Sequence, residues 1–264
     1  MQALLVVKIG GNIIDNAEAL NTFLQAFAAL PGNKILVHGG GKLATELSSK
    51  LGIATTMVAG RRITDEATIK VVTMTYAGWI NKSIVGALNA KGSNGIGLTC
   101  ADAKILQAVK RPVKDVDYGL VGDIYKKDVN CKVLKNLLEA GITPVMAPIS
   151  CNAEGQLLNI NADTVARTLA EALSEFYEVN LIYCFEKNGL LSNVNDEQSI
   201  ISEIDLARAE ELKRTGVITE GMLPKIDNAF GAISNGVKAV LIGHASHITQ
   251  LANGIKGIGT TIRA

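Results

Sequence analysis

Apolar residues along the chain follow two alternating patterns. Short runs rich in leucine, isoleucine and valine recur at 3–9 (ALLVVKI), 34–39 (KILVHG), 143–149 (TPVMAPI), 179–185 (VNLIYCF) and 238–243 (KAVLIG). These predict sheet strands. Between them, segments 17–29, 42–51, 131–140, 162–176 and 205–215 repeat apolar residues at helical spacing. The alternation predicts an α/β fold, a mainly parallel sheet covered on both faces. The longest helical pattern runs from about Asp65 to Ala90, with Ile69, Val72, Tyr76, Ile80, Ile84 and Leu88 on a core-facing stripe. Trp79, the only tryptophan, falls off that stripe. A second packed face, a subunit interface or a half-covered rim position must receive it. Residues 92–130, rich in Gly and Asp, predict hairpins rather than another crossover. No linker composition splits the chain.

Composition narrows the class. Of 264 residues, 48% are hydrophobic and 19% charged, which favours strands buried on both faces. A formal charge of +1 lacks the basic footprint of a nucleic-acid binder, and 4% aromatics are too few for a base-stacking surface. Cys100, Cys131, Cys151 and Cys184 lie far apart, with no C-x-x-C pair, and read as separate thiols of a reducing compartment. The apolar run at 3–7 is broken by Lys8 and is too short for a signal peptide. No stretch approaches the ~18 apolar residues of a membrane helix. A soluble cytoplasmic protein is the expectation.

The stretch VVKIGGNIID, 6–15, ends a buried strand on Lys8 and runs directly into Gly10-Gly11. A lysine at the end of an inner strand costs desolvation unless an anion lies near it. A second strand-glycine-helix transition follows at HGGGKLATEL, 38–47. In a parallel sheet both transitions lie at the carboxyl edge, where open α/β sheets bind ligands, and free N–H groups at a helix start favour an anion. Gly39, Gly41 and Ala44 also match the dinucleotide fingerprint G-x-G-x-x-G/A, but the region about 20 residues on reads AGRRITDE, with arginines first. No Walker-type G-x-x-x-x-G-K-[ST] occurs. Further along, GQLLNINADTVA, 155–166, puts Asn159, Asn161 and Asp163 around a helix entry, where either Asn161 or Asp163 can be the cap. VITEGMLPKIDNAF, 217–230, starts another helix and presents Lys225.

Five of these pieces, KIGG (8–11), HGGG (38–41), GRRIT (60–64), NINAD (159–163) and GMLPK (221–225), stand in the order and approximate spacing of one family. Through them the chain resembles the amino-acid kinase superfamily, and within it the acetylglutamate kinases of arginine biosynthesis. The resemblance implies a three-layer αβα sandwich in one continuous fold. Residues 1–176 would bind the acyl-glutamate and dimerise; residues 177–264 would bind the nucleotide. It implies a homodimer built partly through the helix at 65–90, and ATP with a Mg²⁺ carried by the nucleotide rather than by protein ligands. Lys8 and Lys225 would stabilise the transferring phosphoryl group and Asp163 would hold them in place. Gly40, Gly41, Arg62 and Asn159 would bind the substrate. Gly10, Gly11, Glu186, Gly189, Thr219, Gly221 and Met222 would contact the nucleotide. Where relatives carry Thr-Asp-Val-x-Gly this chain has CFEKNG, 184–189, a departure that touches Glu186 and Lys187. Lys42 is an added charge that either touches substrate or caps the site in solvent. Arginine-inhibited relatives carry an extra N-terminal helix; with the first strand starting at about Ala3, the expectation is an arginine-insensitive dimer.

These residue types suit transfer to a carboxylate. With a pKa near ~4.3 the acceptor is already ionised at neutral pH, so no general base is needed and Asp163 need only orient the lysines. His38 then reads as a hydrogen-bonded strand-end residue. The expected reaction is phosphorylation of an N-acyl-glutamate side chain by MgATP, with acetyl the commonest acyl group and succinyl open. A non-catalytic amino-acid or nucleotide sensor on the same fold is the rival from another class.

Overall fold

A computed structural model describes residues 1–193, 196, 198–217 and 223–264, without the side chains of 223–225. Among the described residues, eight strands form the central sheet: β1 (Ala3–Ile9), β2 (Asn33–His38), β3 (Gly95–Thr99), β4 (Thr143–Ala147), β5 (Glu178–Phe185), β6 (Glu203–Ile204), β7 (Ala239–His244) and β8 (Thr260–Ile262). Their order is β6-β8-β7-β5-β1-β2-β4-β3. All neighbours are parallel except β7 and β8. β1 lies at the centre, with Lys8 in register between Val37 of β2 and Tyr183 of β5.

Helices cover both faces. α2 (Ala17–Ala29), α5 (Asn81–Ala90) and α10 (Ile248–Ala252) pack together on one side. α6 (Cys131–Glu139), α7 (Ala162–Leu173) and α9 (Leu223–Ser234) pack on the other. Strands sandwiched this way have no wet face, which is why β1 is apolar at every position but Lys8 and β2 is buried from Lys34 to His38. Lys34 of β2 is a charge the packing absorbs. Its ammonium donates to the carbonyl oxygens of Ala28 and Leu30 at the end of α2 and lies over the Phe27 ring.

Three elements differ from the sequence expectation. Gly95–Thr99, expected within a hairpin region, is the edge strand β3, and α6 makes the crossover from it to the parallel β4. Gly95 and Gly97 blur its signal; Gly97 is required because a Cβ would sit 2.0 Å from Asn81 Oδ1. The run 143–149 divides at Pro148 into β4 and Ile149–Cys151, which pairs antiparallel with Leu157–Asn159. The long helix runs as α4 (Glu66–Thr73), a π-helical turn over Met74–Ile80, and α5. The wider turn rotates the residues after it, and it puts Tyr76 and Ile80 directly over Gly40.

Candidate active site

Three helix starts converge at the carboxyl edge of the sheet. β1 ends at Ile9; Gly10 donates its N–H to the Cys184 carbonyl at 3.2 Å and caps α1 (Gly11–Ile14). β2 ends at His38, and Gly40 caps α3 (Gly41–Lys50) with φ +149. A Cβ at Gly40 would lie 2.2 Å from Ile80 Cδ1 and 3.2 Å from the Tyr76 ring, so only glycine fits. Asn161 caps α7 by accepting from the Thr164 N–H at 3.0 Å, which leaves Asp163, in the first turn, free for another partner. Gly11, Gly40, Gly41, Asn161 and Ala162 line one crevice of about 230 Å³, walled by Arg62, Tyr76 and Asn159. Backbone N–H groups and helix dipoles aimed into one space favour an anion.

The partner of Asp163 is Lys8. Lys8 Nζ lies 2.8 Å from Asp163 Oδ1, and the lysine is 8% exposed. Its ammonium also lies 5.5 Å from the Phe185 ring centroid. Behind the pair, the Tyr183 hydroxyl donates to the Asp163 carbonyl at 3.3 Å, and burial raises its pKa. Burial likewise pushes the Cys184 thiol up to about 12, so it stays protonated beside Lys8.

Arg62 is 6% exposed and is held by neutral groups. Its Nη2 donates to the Gly41 carbonyl and to Thr45 Oγ1, both at 2.8 Å, and its Nη1 to Thr55 Oγ1 at 3.2 Å. Among the described residues no carboxylate pairs with it. A buried guanidinium without a counter-charge is costly, and a ligand carboxylate in the crevice would relieve that cost. Asn159, also buried, donates from Nδ2 to Thr64 Oγ1 at 3.1 Å and lines the same crevice.

His38 stays out of the crevice. Its Nδ1 lies 2.9 Å from the Gly39 carbonyl and its Nε2 3.1 Å from Asn81 Nδ2, which also donates to the Val145 carbonyl. That pattern assigns the proton to Nδ1. Full burial lowers its pKa to about 4.

The remaining candidates scatter. Glu186 is exposed and accepts from Asn12 Nδ2 at 2.9 Å, near the α1 start. Gly189 is packed against Thr260 and Gly259, where a Cβ would meet Thr260 Oγ1 at 2.9 Å. Thr219, Gly221 and Met222 lie outside the described residues, as does the side chain of Lys225. Lys42 does not line the crevice; its charge opposes the upward pull of burial on the Asp15 pKa. His244 bonds Ser246 Oγ at 2.7 Å and meets His247 edge-on. Tyr76, on the apolar stripe of a core-facing helix, and Asn12, whose only signal is its place after Gly10-Gly11, are site residues that the sequence does not mark. Among the described residues no three His, Cys, Asp or Glu side chains gather as a metal site, and no helix is long and apolar enough to cross a membrane.

The amino acid kinase family profile matches residues 3–244, and the chain belongs to that family. Two relatives matched over nearly their full length are named acetylglutamate kinase. The one from Cytophaga hutchinsonii is 54% identical over 265 residues, spanning 100% of both chains. The one from Phocaeicola vulgatus is 49% identical over 99% of each. Among solved structures, a Streptococcus mutans protein superposes with a TM-score of 0.74 at 26% identity, covering 99% of this chain and 98% of its own. An N-acetylglutamate synthase from Neisseria gonorrhoeae superposes with a TM-score of 0.82 at 21% identity; this chain spans 59% of that one and shares its fold.

Proposed function

We propose that this chain transfers the γ-phosphoryl group of ATP to the side-chain carboxylate of N-acetyl-L-glutamate, making an acyl phosphate on the route to arginine. The observation that carries the reading is the Lys8–Asp163 pair, set beside a crevice into which three helix starts and the buried Arg62 are directed. Full-length relatives bearing the acetylglutamate kinase name favour this acceptor over other carboxylates.

Arg62 takes the α-carboxylate of the acceptor with its planar fork, and Asn159 bonds the same molecule. The acceptor's own side-chain carboxylate is the nucleophile, already ionised, so no residue removes a proton. Lys8 neutralises charge on the phosphoryl group as it moves, with Asp163 fixing where the ammonium stands. Lys225, in the first turn of α9, serves the nucleotide side. The glycine-capped starts of α1 and α3 cradle phosphate oxygens through their N–H groups. A magnesium ion arriving with ATP would need no protein ligand set, in keeping with Asp163 being matched by Lys8. Such an ion would supply charge neutralisation on the nucleotide phosphates.

Residues 1–176 form the acyl-glutamate part and 177–264 the nucleotide part. The active form is a cytoplasmic homodimer. Trp79 at 72% exposure and Met74 at 53%, both on the π turn, support an interface there, and the four unpaired cysteines fit a reducing compartment. Size exclusion would give a dimer for the native chain and a monomer for Trp79→Glu; a native monomer would contradict this. The activity test is MgATP-dependent ADP release with N-acetylglutamate, set against N-succinylglutamate, glutamate, aspartate, carbamate and UMP.

A further inference from the structure

The helix that carries Asp163 and the helix that carries Lys225 are joined by a contact that the reaction itself does not use. Arg167 lies one turn after Asp163 in α7, and Asn228 lies three residues after Lys225 in α9. Arg167 Nη1 donates to Asn228 Oδ1 at 2.8 Å, while its Nε donates to Glu171 Oε1 at 2.6 Å. Glu171 is 7% exposed, so the guanidinium is anchored on its own helix by a buried charge one turn on. The receiving surface is shaped for it. A Cβ at Gly231 would stand 2.7 Å from Arg167 Nη2 and 3.0 Å from Cζ. Glycine inside a helix is ordinarily unfavourable, and the close approach of Arg167 explains it here.

A second contact fixes the register. Ser174 Oγ, just after α7, donates to the Glu171 carbonyl of its own helix at 2.8 Å and lies 3.3 Å from the Asn235 carbonyl, just after α9. Both contacts join residues with the same offset of 61, so the two helices run parallel, level with one another. Carried one turn back from Arg167, that register sets Asp163 level with Pro224 and beside Lys225. The Ser174 contact fixes the far end of the pair. Arg167 fixes the near end, at the rim of a groove of about 930 Å³ that both it and Asn228 line.

We propose that Arg167, seated by Glu171 and received by Asn228 and Gly231, is a positioning residue that sets how close the first turn of α9 stands to Asp163. The proposal rests on the phosphoryl-transfer reading. Its effect falls on turnover, because the spacing matters most when charge moves between the two helices.

The test uses the full chain as Asn228→Ala, Gly231→Ala and Asn228→Asp. The first loses the acceptor and leaves the Arg167–Glu171 pair intact; the second wedges a methyl group against the guanidinium; the third keeps an acceptor oxygen. In the ADP-release assay kcat should fall about tenfold in the first two, with KM for N-acetylglutamate within about twofold, and Asn228→Asp should keep at least about half of native kcat. Gly231→Ala should do this without lowering the melting temperature, since alanine favours a helix. Native kcat in both alanine variants, or Asn228→Asp no better than Asn228→Ala, would overturn the proposal. Hydrogen exchange of backbone amides at 226–234 gives a readout independent of turnover. Faster exchange in Asn228→Ala is expected; unchanged exchange overturns the proposal. If the native chain is silent on N-acetylglutamate, the functional reading has failed and the exchange measurement alone decides the role of Arg167.

Discussion

Lys8 of the central strand and Asp163 of the first turn of α7 form a 2.8 Å ion pair at the carboxyl edge of the sheet, Asp163 following directly on Ala162 of the glycine-lined crevice. Neither residue is explained by packing. A lysine this buried is tolerable because the carboxylate faces it, and Asp163 is free to do so because Asn161 takes the cap. Lys8→Met should therefore lower kcat by about 10²- to 10³-fold, the usual cost of losing one group that stabilises transition-state charge. Asp163→Ala should lower kcat more than it raises either KM, as expected for a group that acts by orienting Lys8. Steady-state kinetics on the folded variants would check both; equal losses in kcat/KM through KM alone would contradict the assignment.

Arg62 should act on acceptor binding. Arg62→Lys keeps the charge and loses the planar fork, along with at least one of the bonds to Gly41, Thr45 and Thr55. The expected result is a rise of about tenfold in KM for N-acetylglutamate with KM for ATP within about twofold. A change confined to ATP would move Arg62 to the nucleotide side.

Gly40 is required by shape. Gly40→Ala drives a methyl group into Ile80 and Tyr76 at a backbone angle that disfavours side chains. It should cost on the order of 2–3 kcal/mol of stability and weaken acceptor binding together. Calorimetry and KM measured on the same preparation would check this; native values in both would show that the π turn yields at no cost.

His38 sets a pH dependence of stability. Its folded pKa, about 4, lies below the ordinary 6.5, so the unfolded chain binds the extra proton first as pH falls. Its neutral form is fully compatible with the fold above pH 6.5. Between pH 6.5 and 4 stability should fall, by about 3 kcal/mol at the acid end. His38→Gln removes the titration, so its urea midpoint should decline less steeply than native over that window. Parallel slopes would mean that His38 is protonated in the folded protein.

Much of this architecture is legible in the sequence, for identifiable reasons. β1, β2, β4, β5 and β7 are largely buried and read as short runs dominated by apolar residues. β3 carries glycine at two of its five positions, and β6 and β8 are two and three residues long, too short for a pattern. The glycine turn at Gly40 marks the site because close backbone approach demands it, whereas Gly10, with φ −74 and room for a Cβ, is marked only by its place between strand and helix. The buried state of Arg62, its lack of a carboxylate partner among the described residues and the role of Tyr76 in roofing Gly40 are products of tertiary packing, with no trace in local spacing. The Arg167–Asn228 contact joins positions 61 apart and is equally silent in the sequence.

The most direct test of the central claim is to trap the product. An acyl phosphate made from a carboxylate acceptor reacts with hydroxylamine to give a hydroxamate, whereas a phosphate ester or phosphoramidate does not. Incubating the native chain with MgATP, N-acetylglutamate and hydroxylamine should yield one hydroxamate per ADP released, and Lys8→Met should yield almost none of either. ADP released without hydroxamate, or hydroxamate formed equally well by Lys8→Met, would contradict the account.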